Sequence, residues 1–189
     1  MATSQCGTAS APNEKARPQS EIRSQTVVHS VEPIWAPDAR VLVLGTMPSP
    51  ASREAGVPYA HPQNRFWPVM AALFGEEDPR TPEGRRALAR RHRLALFDVI
   101  KSCTIVGASD ASIKDVVPQD IKGFIAGTQI GHVALTGGTA TRYYKKLLAQ
   151  EVGLPYQGFP STSPANARWR LPQLIEAYEP VREWALGKE

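Results

Sequence analysis

Two segments of the chain are rich in serine, proline and small residues, and they are the first candidates for chemistry. The first is GTMPSPAS at 45–52 and the second is PSTSPANAR at 160–168. Small residues let a backbone approach a ligand closely, and exposed backbone amides and hydroxyls suit a phosphate. Because Pro48 and Pro50 lack the amide hydrogen that regular structure needs, we expect the first segment to be an open loop.

The run YAHPQNRFWPV at 59–69 brings an aromatic ring, an imidazole and a carboxamide together. Tyr59 is able to stack on a planar ligand or to pack its own loop. His61 is equally suited to hydrogen-bonding a ligand and to bracing the turn that follows it. Asn64 offers a donor and an acceptor on one amide, and it also stands where the N-cap of a helix over 65–74 is expected. The two roles of Asn64 are compatible, because a cap residue lies at an exposed helix start.

The elements that would position these residues alternate between strands and helices. Continuous apolar runs predict strands that are buried on both faces. They lie at 41–46, 94–100 and 132–137, with a shorter extended run near 155–159. Helical patterns cover 65–74, 82–91, 118–126, 139–150 and 171–184. This alternation predicts an α/β fold, a three-layer α/β/α sandwich with a mostly parallel central sheet, and places both serine-rich loops at one edge of that sheet.

Length and composition set the limits of this interpretation. The 189 residues suit one compact domain, with 1–30 expected to be a disordered tail and 31–189 to be folded. The net charge of +4 permits a polyanionic partner without demonstrating one. No apolar run approaches the roughly 20 residues of a membrane helix, and no secretory signal or nucleotide-binding fingerprint is recognised. Cys6 and Cys103 lie far apart in the sequence and are too few to build a metal site alone. They are interpreted as free thiols, which fits a reducing compartment.

Three motifs, in order along the chain, carry a family resemblance. GTMPS followed by YAHPQNRFWPV resembles the first motif region of the uracil-DNA glycosylase superfamily, and PSTSPANAR resembles its second motif loop. LFDVIKSCTIVGASDASIK is similar to the hypoxanthine-DNA glycosylase (DNA-deoxyinosine glycosylase) branch, and the resemblance covers about residues 35–180. It implies a uracil-DNA glycosylase-like fold and a monofunctional enzyme that removes hypoxanthine in base-excision repair. A uracil or mixed uracil/thymine-mismatch glycosylase and a catalytically silent DNA-binding module are the alternatives.

The resemblance also implies roles for single residues. Uracil-removing members usually carry Asn or Asp after the first strand to position water. This chain has Met47 at that position, as the hypoxanthine branch does. The resemblance to that branch makes Asn64 the expected catalytic residue. The expected base-binding residues are Gly45, Thr46, Met47, Tyr59, His61 and Phe66. The expected DNA-binding residues are Ser49, Ser52, Ser161, Ser163, Pro164, Ala165, Asn166 and Arg168. TGG at 136–138 and Pro118 depart from the branch, and they bear on the base preference.

Some residues keep two interpretations. One of Phe66 and Trp67 is expected to line the pocket and the other to pack in the core. The segment 164–168 would fill the gap that a flipped base leaves, or form an ordinary surface loop. The basic run at 85–93 is interpreted as a solvated helix face rather than a DNA contact.

The remaining expectations concern partners and location. The expected partner is DNA that contains deaminated bases, and no cofactor, metal or membrane is expected. No lysine lies in either serine-rich loop, which argues against a Schiff-base lyase step. Asp98 and Asp110 are interpreted as structural hydrogen-bonding residues. The protein is expected to be a monomer, cytoplasmic and nucleoid-associated in a bacterium or nuclear in a eukaryote.

Overall fold

The computed structural model of this protein describes residues 24–106 and 110–188. The strands in these ranges are β1 (Ser24–Val28), β2 (Val41–Gly45), β3 (Leu94–Asp98), β4 (Ile100–Val106), β5 (Lys114–Pro118), β6 (His132–Thr136) and β7 (Tyr156–Phe159). The helices are α1 (Pro50–Ala55), α2 (Phe66–Phe74), α3 (Pro82–Arg91), α4 (Ile121–Ile125), α5 (Gly138–Leu147), α6 (Ala149–Val152), α7 (Leu171–Ala177) and α8 (Glu179–Ala185).

The central sheet has its strands in the order β3-β2-β6-β7, and all neighbours are parallel. Strand β2 is buried along its whole length, because Val41 and Val43 face one apolar core while Leu42 and Leu44 face the other. The first core packs against α2, α3, α7 and α8, and the second against α4, α5 and α6. This is the predicted three-layer sandwich, in which the carboxyl ends of the strands form an edge for loops.

A second sheet, three-stranded and antiparallel in the order β1-β4-β5, is not among the predicted elements. Strand β1 pairs with β4 over its whole length, and Val27 is buried in the second core. The prediction of a disordered tail is therefore wrong for Ser24–Val28. Only one of its five side chains is buried, so neither an alternation nor an apolar run marks the strand. Residues 1–23 of the predicted tail lie outside the described residues.

Helix α1 corrects the prediction of an open loop at 45–52. Pro50 stands at the start of the helix, where its missing amide hydrogen costs nothing. The Ser49 side chain accepts a hydrogen bond from the Ser52 amide at 3.2 Å and so caps the helix. Gly56 ends the helix with φ 63°, a left-handed conformation that glycine adopts without strain.

The segment predicted as one strand over 94–100 is divided between the two sheets. Strand β3 ends at Asp98, and after Val99 the chain enters β4 of the small sheet. Pro118 ends β5 rather than starting a helix. Helix α4 begins at Ile121, and the Asp120 side chain caps it by accepting a hydrogen bond from the Gly123 amide at 2.8 Å.

The C-terminal helix predicted over 171–184 is two helices, α7 and α8, which meet at Tyr178. Pro180 causes the break, because proline inside a helix removes a hydrogen bond and clashes with the preceding turn. None of the helices within the described ranges combines the length and the apolar character needed to cross a membrane.

The buried side chain of Trp67 is expected to stabilise the fold. That side chain is 1% exposed, and Nε1 donates to the Pro58 carbonyl at 2.9 Å. Trp67→Phe leaves a void and an unpaired buried carbonyl, so we expect the free energy of unfolding to fall by about 2 kcal/mol in urea titrations. Trp35→Phe is the matched control, because Trp35 is 46% exposed, and it should change stability by less than about 0.5 kcal/mol. Equal losses in the two variants would contradict the prediction.

Candidate functional site

A cavity of about 600 Å³ opens at the carboxyl edge of the central sheet. Residues of both serine-rich loops line it, so the structure brings 45–52 and 160–168 together at one edge. Asp98 and Thr136, the last residues of β3 and β6, also face it. The volume lies within the range of cavities that hold small ligands.

Most of the predicted site residues line this cavity. They are Gly45, Thr46, Met47, Ser49, Ser52, Tyr59, Asn64, Ser161, Ser163, Ala165 and Asn166. His61, Phe66, Pro164 and Arg168 are not among the lining residues. His61 Nδ1 accepts the Gln63 amide at 3.2 Å, which is the turn-bracing interpretation of that residue. Pro164 and Arg168 are exposed.

Tyr59 is the aromatic residue that the described chain places in the cavity wall. Its ring stacks on that of Phe66, with centroids 4.0 Å apart, and its hydroxyl donates to Thr136 Oγ1 at 3.2 Å. Phe66 is fully buried, so the prediction that it binds the base is wrong: it supports Tyr59 from behind. Trp67 also packs in the core and does not line the cavity. Burial and the negative charge of Asp98 raise the pKa of Tyr59 well above its usual value, so its hydroxyl stays protonated.

Asn64 is held with one half of its amide engaged. Oδ1 accepts the Phe66 amide at 2.9 Å, and the Asn64 backbone amide donates to the His61 carbonyl at 2.8 Å. The N-cap position itself is taken by Arg65, which corrects the predicted helix start by one residue. Since Oδ1 faces the helix, Nδ2 is the half of the side chain that can serve a ligand as a donor.

A carboxylate in the cavity wall is paired with an imidazole. Asp98 is 7% exposed, and its Oδ2 lies 2.9 Å from His29 Nε2. A Cβ at Gly45 would overlap Asp98 Oδ1, so the glycine is what allows the carboxylate to occupy this place. His29 falls within the predicted tail and was missed, because no sequence pattern marks a single histidine after a polar strand. For Asp110 only the backbone is described, at the start of a short 3-10 turn, and its side chain lies outside the described part.

The serines of the first loop hold the loop itself. Ser52 is 2% exposed, and its Oγ accepts the Ala60 amide at 3.2 Å and lies 3.1 Å from Ser49 Oγ. Ser52 thereby ties α1 to the turn that follows Tyr59. Its burial corrects the expectation that it reaches a DNA backbone, while Ser49 is half-buried at the cavity wall.

The second loop combines a half-buried base with an exposed tip. Ser161 and Ser163 are half-buried, and their hydroxyls accept the amides of Ser163 (3.2 Å) and Ala165 (3.3 Å). Thr162, which the sequence interpretation left out, lines the cavity with a 1% exposed side chain. Arg65 was also missed, although its guanidinium donates to the backbone carbonyls of this loop.

Several side chains of the basic run at 85–93 contact neighbouring parts of the protein. Arg85 lies over the ring of Trp67, with 5.8 Å between the guanidinium carbon and the ring centre. Arg86 donates to a backbone carbonyl. Arg91 and His92 hydrogen-bond to Glu76, and these bonds lower the pKa of that carboxyl. Arg90 and Arg91 are exposed, so this helix keeps a solvated face as well.

Comparison with known proteins now identifies the class of protein. The chain matches the family model of the uracil DNA glycosylase superfamily over residues 33–182. It is 27% identical over 133 residues to a hypoxanthine DNA glycosylase of Methanosarcina acetivorans, which covers 70% of this chain and 84% of that protein. It is 30% identical over 84 residues to a hypoxanthine DNA glycosylase of Methanosarcina barkeri. That alignment covers 44% of this chain and 53% of the relative, so the chain matches about half of the relative's length.

The fold is also found among solved structures. A solution NMR structure of a Methanosarcina acetivorans protein assigned to the uracil DNA glycosylases superimposes with a TM-score of 0.73 at 24% identity. It covers 86% of this chain and 99% of that one. The chain belongs to the uracil DNA glycosylase superfamily. Its family is one of DNA glycosylases.

Proposed function

We propose that this chain is a monofunctional DNA glycosylase that hydrolyses the N-glycosidic bond of hypoxanthine in DNA, the first step of base-excision repair. The observation that carries the proposal is that the Asn64 amide and the Asp98 carboxylate line one cavity, and that the first loop contributes the apolar Met47 to the same wall. The names of the two Methanosarcina relatives support the same substrate.

Deamination changes the hydrogen-bonding edge of a purine. Adenine has a bare acceptor at N1, whereas hypoxanthine has an N1–H donor beside the O6 acceptor. In the proposal, the Asp98 carboxylate accepts N1–H and disfavours the lone pair of adenine, while Asn64 Nδ2 donates to O6 or N7. His29 keeps the carboxylate in place. Asp98 makes further contacts in the protein, and a carboxylate with about four acceptor positions accommodates these and a base.

The reaction requires the nucleotide to leave the base stack and enter the cavity. The C1′–N9 bond then breaks with its electron pair going to the base, and a water oxygen bonds to C1′. One water proton stays on that oxygen as the new C1′ hydroxyl, the other is lost to solvent, and the departing base takes up one proton. The transition state resembles an oxocarbenium ion, and donors aimed at the departing base stabilise its developing charge. The Met47 side chain has no hydrogen-bond donor, whereas Asn64 has Nδ2, so we assign this stabilisation to Asn64.

The expected product is an abasic site with an intact strand. A Schiff-base lyase step needs a lysine amine near C1′, and the cavity lining within the described ranges contains no lysine. Strand cleavage by the protein alone, before any alkali is added, would contradict the monofunctional proposal.

A panel of duplex oligonucleotides tests the substrate. The duplexes are identical except for one hypoxanthine, uracil, xanthine, mismatched thymine or adenine, and alkali reveals the abasic site. We expect adenine to be retained, because the buried acceptor at Asp98 discriminates by hydrogen bonding. We expect hypoxanthine to be released at least about tenfold faster than uracil, because Met47 cannot position water as the Asn or Asp of uracil-removing members does. Release of uracil with retention of hypoxanthine would assign the chain to the uracil-removing alternative. DNA binding without release of any base would indicate a silent binding module.

A further inference from the structure

Arg65 holds the loop between β7 and α7, residues 160–170, which we name the clamped loop. Its guanidinium donates to four backbone carbonyls of that loop, those of Thr162 (3.3 Å), Ser163 (2.6 Å), Asn166 (3.0 Å) and Trp169. The Arg65 backbone amide also donates to the Thr162 carbonyl, at 3.1 Å. A stretch of chain without helix or strand is thus gathered around one cation.

Only a guanidinium can make this set of contacts. It presents five N–H donors in a planar fork, whereas a lysine ammonium has three donors at a single point. Hydrogen bonds from a charged donor are about twice as strong as those between neutral groups. Two more bonds brace the same loop, from Tyr178 Oη to the Pro160 carbonyl and from Asn166 Nδ2 to the Ser161 carbonyl, both at 2.8 Å.

We propose that Arg65 is the positioning residue that orders the tip of the clamped loop for insertion into the DNA duplex. The tip residues Pro164, Ala165 and Arg168 are exposed, while carbonyls on either side of them are turned inward to Arg65. A loop that is ordered beforehand loses less conformational entropy when DNA binds. This inference rests on the proposed function only in taking DNA as the ligand.

The same arrangement fixes the loop relative to the cavity. Arg65 follows Asn64 directly and stands at the N-cap of α2, while the Asn64 side chain binds the first amide of that helix. The start of α2 therefore anchors both the loop tip and the Asn64 amide. In the proposal, the tip fills the gap in the base stack and the amide meets the flipped base. Loss of the Arg65 contacts should release the tip without moving Asn64.

Arg65→Lys is the test, and Arg182→Lys is its matched control, because Arg182 lies on α8 away from the cavity. With a duplex that carries a tetrahydrofuran abasic-site analogue, we expect Arg65→Lys to raise Kd at least about tenfold. In base release from duplex DNA, KM should rise by a similar factor while kcat changes less than about twofold. The control should leave all three values unchanged.

Loop order is measured separately from activity. Trypsin cleavage after Arg168 and Arg170, followed by mass spectrometry, should be at least about tenfold faster in Arg65→Lys, because cleavage follows the population of the open loop. In the wild-type protein, the Arg65 Nε–H should exchange with solvent more slowly than that of Arg182 in NMR spectra. The exchange measurement needs no variant, so it holds if Arg65→Lys does not fold.

Ala165→Gly is a second variant, which loosens the exposed tip and leaves Arg65 in place. We expect it to raise Kd for the same duplex about threefold. Wild-type cleavage at Arg168 in Arg65→Lys, or fast Nε–H exchange at Arg65, would overturn the clamp. A wild-type Kd in both loop variants would overturn its role on DNA. Failure of the base panel alone would overturn the proposed substrate, since the binding and cleavage measurements use no base release.

Discussion

An Asn64→Asp protein is expected to release hypoxanthine at least about 100-fold more slowly than the wild type, because a carboxylate cannot donate to the departing base. Asn64 lines the cavity, and its Oδ1 accepts the Phe66 amide at 2.9 Å. Aspartate keeps that acceptor, so the start of α2 is retained, whereas both Nδ2 hydrogens are lost. Single-turnover release from a duplex with one hypoxanthine measures the effect.

Asn64→Ala separates the two roles of this side chain. Alanine removes the donor and the acceptor together, so we expect the same loss of rate and, in addition, about 1 kcal/mol less stability in urea unfolding. Asn64→Asp should unfold within about 0.5 kcal/mol of the wild type. If Asn64→Asp released hypoxanthine at the wild-type rate, Asn64 would be a structural residue at the helix start and not the donor proposed above.

Gly45→Ala is expected to reduce both stability and base release, because the added methyl group has no room. Its Cβ would overlap Asp98 Oδ1 and stand 3.2 Å from the Tyr59 hydroxyl. Asp98 is bound to His29, and Tyr59 is bound to Thr136, so neither side chain moves without losing a hydrogen bond. We expect the free energy of unfolding to fall by about 2 kcal/mol.

The loss of activity follows from the displaced carboxylate. A shift of about 1 Å in a group that orients the substrate can lower the rate about 100-fold, and we expect a decrease of that order in single-turnover release of hypoxanthine. Gly131→Ala is the control, because a Cβ there meets open space, and both its stability and its rate should stay at wild-type values. Unchanged release by Gly45→Ala would show that the position of Asp98 does not matter.

The central sheet and the place of the cavity are predictable from the sequence. Strand β2 is apolar at successive positions because neighbouring side chains enter opposite cores, and that pattern is visible without coordinates. Once parallel strands are expected, their carboxyl ends bring the two serine-rich loops together. Asn64 is predictable because it belongs to a motif of adjacent residues.

The missed features depend on contacts between distant parts of the chain. His29 and Asp98 are 69 positions apart, and Arg65 reaches carbonyls 97 to 104 positions away. No local pattern reports such pairs. Helix α1 is hard to predict for a different reason: proline excludes the interior of a helix, yet it is favourable at a helix start, where Pro50 lies. Phe66 was placed in the cavity because spacing alone does not tell which of two adjacent aromatic rings faces inward.

Strand β1 limits how far the chain can be shortened without loss of the proposed activity. His29 comes directly after the strand and hydrogen-bonds to the Asp98 carboxylate. Val27, within the strand, packs in the second core. A chain that begins at residue 31, the domain boundary predicted from composition, keeps both serine-rich loops. It lacks His29, the hydrogen-bonding partner of Asp98, and it exposes apolar surface that Val27 covers. The smallest active fragment should therefore start no later than Ser24.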